Sequence, residues 1–462
     1  MHSSSPTSIA CTSNILQLCP STKVVGSYFP IEVIMMVMEF VFEAASSLRS
    51  AASGSAIAAK LLGFNGDAEL SHTTVQNMGL RIGLHELCRP KEKADDWIWL
   101  IDHYICASTT KCFVVMGIRY DAYHQINRPL VHHDLQALAL IPVETSTGLV
   151  VAQQLTALCK VTGVPRAILS DRGSDLKKGV ELLRQIHPSV IPLYDILHTV
   201  SGFIAQLLES NERWPTYRQE CCKCANLVRQ SNMAHLKPPK PKSKAREMNL
   251  EEEVRWGART LNLLKQSRRG ELPHAQSIYL PLEQLEQRFG WLDGYETELA
   301  QWESAMQIGK TVCSLVRQYG YGATLMSRLG ATLRQGNSAV ETDLISKIET
   351  FCAECSGKIV DGTSLPGSTE VLESLIGKGK RMTGFRMNNS ITSHVLAIAA
   401  SVVTLTAAKV TDSLKACRIK HVQDWCGKHL PESLKAKRIR DLRPTEAEEK
   451  QRKPQVTTTP NF

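Results

Sequence analysis

The sequence predicts an α/β protein in which a mixed β-sheet with flanking helices is joined to further regions that are helical. Five short apolar runs of strand-like composition alternate with helical patterns between residues 97 and 209. An Ala-rich helical pattern precedes them at 30–87, and helical periodicity without strands follows from about 214 to 361. The chain has 462 residues, 43% of them hydrophobic, which allows several folded domains and excludes disordered or collagen-like chains.

The predicted elements follow one another in a characteristic order. We expect strands at 97–102, 111–119, 137–143, 164–171 and 190–196, and helices at 148–161, 174–183 and 198–209. The order β-β-β-α-β-α-β-α is that of a ribonuclease-H-like fold, in which three antiparallel strands are extended by two strands through helical crossovers. In such a sheet the first and fourth strands are neighbours.

Composition shifts along the chain indicate its domain organisation. The basic, Pro-rich stretch at 237–246 and the Pro/Gly/Ser entry at 366–369 mark two breaks in the helical pattern. We predict a disordered N-terminus at 1–28, a helical DNA-binding domain at 30–90, the first part of the ribonuclease-H-like core at 95–213, a helical insertion at 214–361, core completion and C-terminal helices at 366–443, and a disordered tail at 445–462.

The second half of the N-terminal region resembles a helix-turn-helix. A short turn at 66–67 is followed by a Ser-led helix start at Ser71. Its polar first turns would face base edges and Arg81 the phosphate backbone, whereas a small helical bundle without DNA contacts explains the pattern equally well. The side chains expected near base edges are those of Ser71, Thr73, Thr74, Gln76 and Asn77.

The charge balance permits a nucleic-acid partner without requiring one. Lys and Arg number 54 against 45 Asp and Glu, a net charge of +9. We expect Lys177 and Lys178, which open the helix after Asp171, to contact phosphate. The 237–246 stretch, with Lys240 and Lys242, can follow a phosphate backbone, or it is simply a solvated loop.

Other classes of protein are less compatible with the sequence. The longest uncharged apolar stretch, 395–408, is shorter than the about 18 residues of a membrane span, and the N-terminus lacks a secretory signal. Fourteen scattered cysteines predict no disulfide scaffold. The clusters at 221–224 and 352–355 can combine into a zinc site, but we interpret them as ordinary helical cysteines. The sequence therefore indicates a soluble intracellular protein.

Two acids are expected to meet at one end of the sheet. Asp102 lies within the first strand and Asp171 at the end of the fourth, so that neighbouring strands bring their carboxylates together. Such a pair is repulsive unless cations join it, and two divalent ions about 4 Å apart would meet that need and activate a phosphoryl displacement. The alternative is that each acid caps a local element, which Asp-Arg-Gly-Ser favours at Asp171.

A third acid is expected from a later helix. Glu209 ends an ordinary helix, whereas Glu370 and Glu373 share one face of a new helix. The helix continues to Lys378 and Lys380, which can touch a nearby phosphate, although a solvated ion-pair stripe looks alike. His198, one turn after Asp195, either donates to a phosphate or packs at a strand–helix junction.

Five segments of the chain carry a family resemblance: residues 97–102, 111–117, 163–176, 195–198 and 369–374. Together they resemble bacterial insertion-sequence transposases of the DDE type, over roughly residues 30–385. The resemblance implies that Asp102, Asp171 and Glu373 bind two Mg²⁺ or Mn²⁺ ions. Glu373 and Lys380 are similar to the Glu-six-Lys pair of such enzymes, but the Tyr and Arg that accompany it are absent here, so Glu370 stays open as an alternative.

The resemblance also implies an activity and its partners. We expect metal-dependent cleavage of the ends of a mobile element and strand transfer into target DNA, by a homodimer or higher oligomer on DNA in the bacterial cytoplasm at the nucleoid. Two alternatives stay open: a catalytically inactive, repurposed DNA-binding protein derived from a transposase, and a ribonuclease-H-like nuclease that cuts without joining.

Overall fold

The computed structural model of the chain describes residues 28–61, 70–105, 110–240, 250–333, 336, 338–360, 362–382 and 391–442. The chain divides into two compact units, one formed by Met1–Arg89 with Ile376–Phe462 and the other by Pro90–Leu375. The disorder predicted at 1–28 and 445–462 concerns residues that, Tyr28 apart, lie outside the described ranges. The same holds for the turn at 66–67 and for Lys242. Among the described residues, no helix combines the length and apolarity that crossing a bilayer requires.

The secondary structure follows the predicted sequence of elements. The strands are β1 Trp97–Ile105, β2 Lys111–Arg119, β3 Gln136–Val143, β4 Ala167–Ser170 and β5 Ile191–Tyr194. The helices are α1 Ile31–Phe42, α2 Leu48–Leu61, α3 His72–Cys88, α4 Tyr120–His124, α5 Gly148–Thr162, α6 Ser174–Ile186, α7 Ile196–Glu209, α8 Arg213–Val228, α9 Leu250–Arg268, α10 His274–Tyr279, α11 Leu282–Phe289, α12 Glu296–Tyr319, α13 Ala323–Thr332, α14 Ala339–Ser356, α15 Glu370–Met382, α16 Leu396–Ala400, α17 Ala407–Ala416, α18 Ile419–His429 and α19 Leu434–Asp441.

The sheet belongs to the second unit and confirms the predicted mixed α/β class. Its strand order is β3-β2-β1-β4-β5. The first three strands are antiparallel, and β4 and β5 run parallel to β1. The first and fourth strands are therefore neighbours, as predicted. Helix α4 was not predicted, because five polar and aromatic residues carry no measurable helical period.

The central strand determines which side chains reach each face of the sheet. Trp97, Trp99 and Ile101 of β1 are fully buried against α5 and α6, in a cluster that includes Leu155 and Val180. Because successive strand residues point to opposite faces, Asp102 lies on the face away from α5 and α6. An apolar strand buried on both faces is typical of the centre of a sheet with parallel neighbours.

The region from 214 to 360 is helical, as predicted. Its described residues form helices and turns, and Tyr321 makes an isolated antiparallel bridge to Leu365, beyond the end of the region. Aromatic rings form part of its core: Trp214 stacks on Tyr217, with ring centroids 5.5 Å apart, and meets Trp302 edge to face at 4.9 Å. Rings of this size bury large apolar areas, which explains how a bundle of helices without strands stays ordered here.

The first unit differs from the self-contained helical domain that we predicted for residues 30–90. Helix α1 buries Ile34 and Met38 in a core that is shared with α3 and with residues of α16 and α17, among them Ala400 and Leu414. The N-terminal helices thus pack on C-terminal ones, which we predicted in one segment with the completion of the sheet core, at 366–443. Apolar periodicity shows that a helix has a buried face, but not which distant helix covers it.

Helix α3 is a central element of this unit. Val75, Met78 and Ile82 enter the shared core, and Gly83 faces the backbone of α16. Residues 62–69, between α2 and α3, lie outside the described ranges. The exposed residues of α3 lie at its two ends, His72 and Thr73 at the start and Cys88 at the end, so the middle of the helix is not presented as that of a groove-reading helix would be.

Adding a side chain at Gly83 should destabilise the first unit. A Cβ atom at this position would overlap the Leu396 carbonyl oxygen, a backbone atom that cannot rotate away. We expect Gly83→Ala to lower the free energy of unfolding by at least about 2 kcal/mol, as overpacking of a core does. Gly54→Ala is the matched control, because its Cβ would have no neighbour nearer than 3.9 Å, and it should stabilise α2 by about 0.5–1 kcal/mol. Urea unfolding measures both changes. If Gly83→Ala changed the free energy of unfolding as little as Gly54→Ala, the close packing of α3 on α16 would be contradicted.

Candidate active site

Three aspartates lie at one edge of the sheet. Ile101 of β1 pairs with Ser170 of β4, and Ser170 pairs with Tyr194 of β5. Each aspartate directly follows one of these three aligned residues: Asp102, Asp171 and Asp195. Because the strands are parallel, the three side chains originate at the same level, where β4 and β5 end and β1 continues for three more residues. This edge is therefore the place where carboxylates accumulate.

Asp195 is the most buried of the three, with no solvent exposure. Its Oδ2 accepts a hydrogen bond from the backbone N–H of His198 at 2.8 Å and lies 2.9 Å from the His198 Nδ1. Its Oδ1 accepts from the backbone N–H of Thr369 at 2.7 Å. Asp195 thus caps α7, orients His198 and ties the segment before α15 to the end of β5.

The same contacts bring Glu373 to the sheet edge. The backbone N–H of Ile196 donates to the Gly367 carbonyl, and Thr369 is held by Asp195, so α15 begins beside the β5–α7 junction. Glu373, in the first turn of α15, has its Oε1 3.5 Å from His198 Nδ1. That buried oxygen makes no hydrogen bond, and burial raises the pKa of Glu373. A buried carboxylate oxygen that accepts no hydrogen bond is available to bind a cation.

Asp102 and Asp171 interact electrostatically. Burial, and after it the carboxylate of Asp171, raise the pKa of Asp102 to about 7, while the N–H of His103, which donates to Asp102 Oδ1 at 2.6 Å, opposes the rise. Glu373 adds to the same repulsion. Asp171 uses its Oδ1 to accept from the Gly173 N–H at 2.9 Å, the turn chemistry that the sequence indicated. A turn role and proximity to Asp102 are thus both present at Asp171.

His198 is held as a positive charge. Its hydrogen bond to Asp195 raises the pKa of the imidazole to about 9, against desolvation, with further contributions from the charges of Asp195, Glu373 and Asp171. His198 packs at the strand–helix junction, as one of its two interpretations expects, and it also lies next to the acidic edge. An imidazolium here can donate to an anionic group from its unused nitrogen.

The raised pKa of His198 predicts a pH dependence of stability in the metal-free protein. The pKa rises from 6.5 in the unfolded chain to about 9 in the folded one, so the stabilisation is complete below pH 6.5 and is lost as the pH rises through about 9. The Tm difference between wild type and His198→Gln, measured in EDTA, should be largest in mildly acidic buffer and shrink in alkaline buffer. A difference that grows with pH would contradict this assignment.

The residues at this edge divide into two groups by their hydrogen bonds. Among the described residues, the one set of three side chains whose ligand atoms lie within 4.8 Å of one another is Asp195, His198 and Glu373. Asp195 already accepts three N–H hydrogen bonds, two at Oδ2 and one at Oδ1, and His198 presents a protonated nitrogen to it, so a cation there would compete with existing contacts. Asp102 and Asp171 do not belong to this set, but the charges of Asp171 and Glu373 both raise the pKa of the Asp102 carboxyl. Asp195 was not a predicted site residue, and its position directly after a strand was the available signal.

The alternatives for the third acid have other positions. Glu370 forms a two-pronged ion pair with Arg317 of α12 and accepts from the Ser368 hydroxyl at 3.1 Å. Glu209 is exposed at the end of α7. Of these glutamates, Glu373 is the one whose negative charge raises the pKa of the Asp102 carboxyl. This proximity favours Glu373 as the third acid.

The predicted DNA-reading residues of α3 are not all available. Ser71 caps the helix, its Oγ accepting from the Thr74 N–H and lying 2.9 Å from the Thr74 hydroxyl. Thr73 is exposed, and Gln76 and Asn77 are half-buried. The Arg81 guanidinium donates to the carbonyls of Cys417 and Leu414, which close the end of α17. The expectation that Arg81 faces DNA phosphates is therefore not supported, because its guanidinium is already hydrogen-bonded to these two carbonyls.

The predicted lysines also differ in accessibility. Lys177 and Lys178 are exposed at the start of α6, as phosphate contacts would require. Lys378 is buried, with its Nζ 3.9 Å from Glu43, which argues against direct contact with DNA. Lys380 is half-buried, and Lys240 is exposed. Among the described residues, the cysteines of α8 and α14 are not part of a group of three or more potential metal ligands.

Comparisons with known proteins give little further information. No protein family matches the sequence, and none of the curated proteins matches it. Among solved structures, a Drosophila P element transposase strand transfer complex matches 83% of this chain and 94% of that chain, at 11% identity and a TM-score of 0.38. A TM-score this low does not establish a common fold.

Proposed function

We propose that this chain is a metal-dependent polynucleotidyl transferase of the DDE transposase type, which cleaves the ends of a DNA element and joins them to target DNA. The observation that supports the proposal is the position of Asp102 and Asp171 on neighbouring strands, together with the charge of Glu373, which helps to raise the pKa of the Asp102 carboxyl. The strand order and the antiparallel β1–β2 and parallel β1–β4 pairs support a ribonuclease-H-like core.

The residues at this edge fit divalent cations. The Asp102 carboxyl has a strongly raised pKa, and the Glu373 Oε1 is buried without a hydrogen bond, two features that a bound cation would relieve. Oxygen-rich carboxylate sites suit Mg²⁺ and Mn²⁺. Asp102, Asp171 and Glu373 would hold them, and ions so held activate an attacking oxygen and stabilise a leaving oxygen in phosphoryl displacement.

The remaining residues would bind and orient the DNA. His198, protonated and fixed by Asp195, would donate to a non-bridging phosphate oxygen and offset the charge of Glu373. Lys177 and Lys178, exposed on α6 beyond Asp171, would contact neighbouring phosphates and so fix the register of the strand. In this mechanism the basic side chains place the scissile phosphate, and the carboxylates supply the cation site.

The test is a cleavage and joining assay with DNA from the inverted repeats that flank the gene. With labelled ends, we expect nicking in Mg²⁺ or Mn²⁺, none in EDTA, and transfer of the labelled 3′ end to a plasmid. Glu373→Gln should lose both reactions, and Glu209→Gln, an exposed acid at the end of α7, should keep both. Cleavage without joining would make the protein a nuclease, and DNA binding without cleavage would make it a repurposed DNA-binding protein; either outcome overturns the proposal.

A further inference from the structure

The insertion region holds an extended basic segment in a fixed position. Residues 237–240, the described part of the Pro-rich stretch, run alongside α9 after a short turn at Ala234–Leu236. The Trp256 indole N–H of α9 donates to the Leu236 carbonyl at 2.9 Å, and Pro238 is buried. Lys237 and Lys240 remain exposed. The hydrogen bond at Leu236 and the burial of Pro238 therefore anchor the segment, while Lys237 and Lys240 face solvent.

Helix α9 presents a row of donor side chains towards this segment. Arg255, Arg259, Asn262 and Gln266 are spaced by four, three and four residues, which places them on one face of the helix. All four line a cleft of about 670 Å³ together with Lys237. The row spans about 16 Å along the helix axis, at about 1.5 Å per residue. We call these five residues the basic groove.

Positive side chains outnumber acidic ones in the lining of this cleft. Arg255 and Lys310 share the carboxylate of Glu251, and Arg259 is exposed on the next turn. Burial, and after it the positive charges of Arg255 and Arg259, lower the pKa of Lys310. The acidic residue that lines the cleft is Glu252. Cations gathered in this way repel one another, and an anion in the cleft would relieve that repulsion.

The positive surface continues beyond the groove. A second cleft, of about 340 Å³, is formed by the same segment and α8, and Arg229 and Lys240 line it. Lys237 borders both clefts. A compact anion would need donors that converge on one point. Here the donors form an elongated row, and cations lie on both sides of the segment 237–240, an arrangement that fits an extended polyanion.

We propose that the basic groove binds the phosphate backbone of DNA, independently of the acidic sheet edge. This inference rests on the proposed function for the identity of the polyanion. Arg and Lys contacts of this kind position a duplex without reading its sequence, so the insertion would contribute affinity and register rather than recognition of particular bases.

The test is DNA binding by the full-length protein in EDTA, where no cleavage occurs. Fluorescence anisotropy with a labelled duplex of arbitrary sequence gives the affinity over a series of salt concentrations. For Arg255→Gln/Arg259→Gln we expect the slope of log K against log salt to become shallower by about 1.8, or about 0.9 for each lost phosphate contact. The affinity at low salt should fall by about tenfold or more.

Two further variants make the result decisive. Arg269→Gln/Lys347→Gln removes the same charge from exposed positions that pair with Glu271 and Asp343 outside the groove, and it should change the slope little. Arg255→Lys/Arg259→Lys should restore most of the affinity, which a folding defect would not do. Equal slopes for the groove variant and the charge-matched control would overturn the groove as a DNA site. If the wild type binds no DNA at all, the proposed function fails as well. If Glu373→Gln loses cleavage but the groove variant binds and cleaves DNA like the wild type, the proposed function stands and the groove proposal fails.

Discussion

Asp102→Asn and Asp171→Asn should each abolish metal-dependent DNA cleavage while leaving DNA binding nearly unchanged. The two carboxyls originate side by side on parallel neighbouring strands, and each would contribute a ligand oxygen to the cation site. Residues that only orient metal ligands contribute about 10–100-fold to affinity or activity, so loss of a ligand itself should cost at least about a hundredfold. The measurement is single-turnover cleavage of end-labelled DNA, with binding by anisotropy in parallel.

A control that removes the same charge separates the loss of a metal ligand from the loss of one negative charge near the site. Glu370→Gln removes a carboxylate three residues before Glu373, but this one is paired with Arg317 and not directed to the sheet edge. We expect it to keep at least half of the wild-type activity, because the amide can still accept from Arg317. Cleavage retained in Asp102→Asn or in Asp171→Asn would show that the cation site lies elsewhere.

Asp195→Ala should be the most destabilising substitution at the site. It removes the acceptor of the Thr369 N–H, a buried backbone group, and both hydrogen bonds from His198. Breaking a buried ion pair on one side typically costs about 3–5 kcal/mol. Urea denaturation should show a loss of that size, accompanied by loss of activity, since α15 and Glu373 depend on this anchor. Asp195→Asn, which keeps one acceptor for Thr369, should lose less.

The control for this substitution is an exposed aspartate in an ordinary helical ion pair. Asp343, four residues before Lys347 on α14, is such a residue, and Asp343→Ala should cost less than about 1 kcal/mol. If Asp195→Ala were as mild as Asp343→Ala, the anchoring role of Asp195 would have to be abandoned.

The sheet could be predicted because its information is local. Each strand is an apolar run of the expected length, and turn residues separate one run from the next. Parallel strands that are connected through helices can be arranged in only a few topologies. The same topology places Asp102 beside Asp171 from the sequence alone. The bounds differ at the ends, for example at β1, which continues to Ile105 past Asp102, because hydrogen bonding to β2 and not apolarity determines where this strand ends.

The remaining features depend on distant partners. Arg81 resembles a surface arginine in the sequence, yet carbonyls more than three hundred residues away bind it. Lys378 is buried near Glu43 for the same reason. The role of Asp195 required knowledge that Thr369 returns to the end of β5. Periodicity identifies buried faces, but it does not identify what covers them.

Binding of Mn²⁺ to the DNA-free protein, followed by isothermal titration, tests the central claim most directly. Wild type and Glu370→Gln should bind the ion, and Asp102→Asn, Asp171→Asn and Glu373→Gln should each weaken binding by at least about tenfold, because each removes one carboxylate ligand. If binding survives Asp102→Asn and Asp171→Asn but is lost in a folded Asp195→Asn protein, the ion lies in the Asp195–His198–Glu373 group, and the assignment of the cation site to Asp102, Asp171 and Glu373 is wrong.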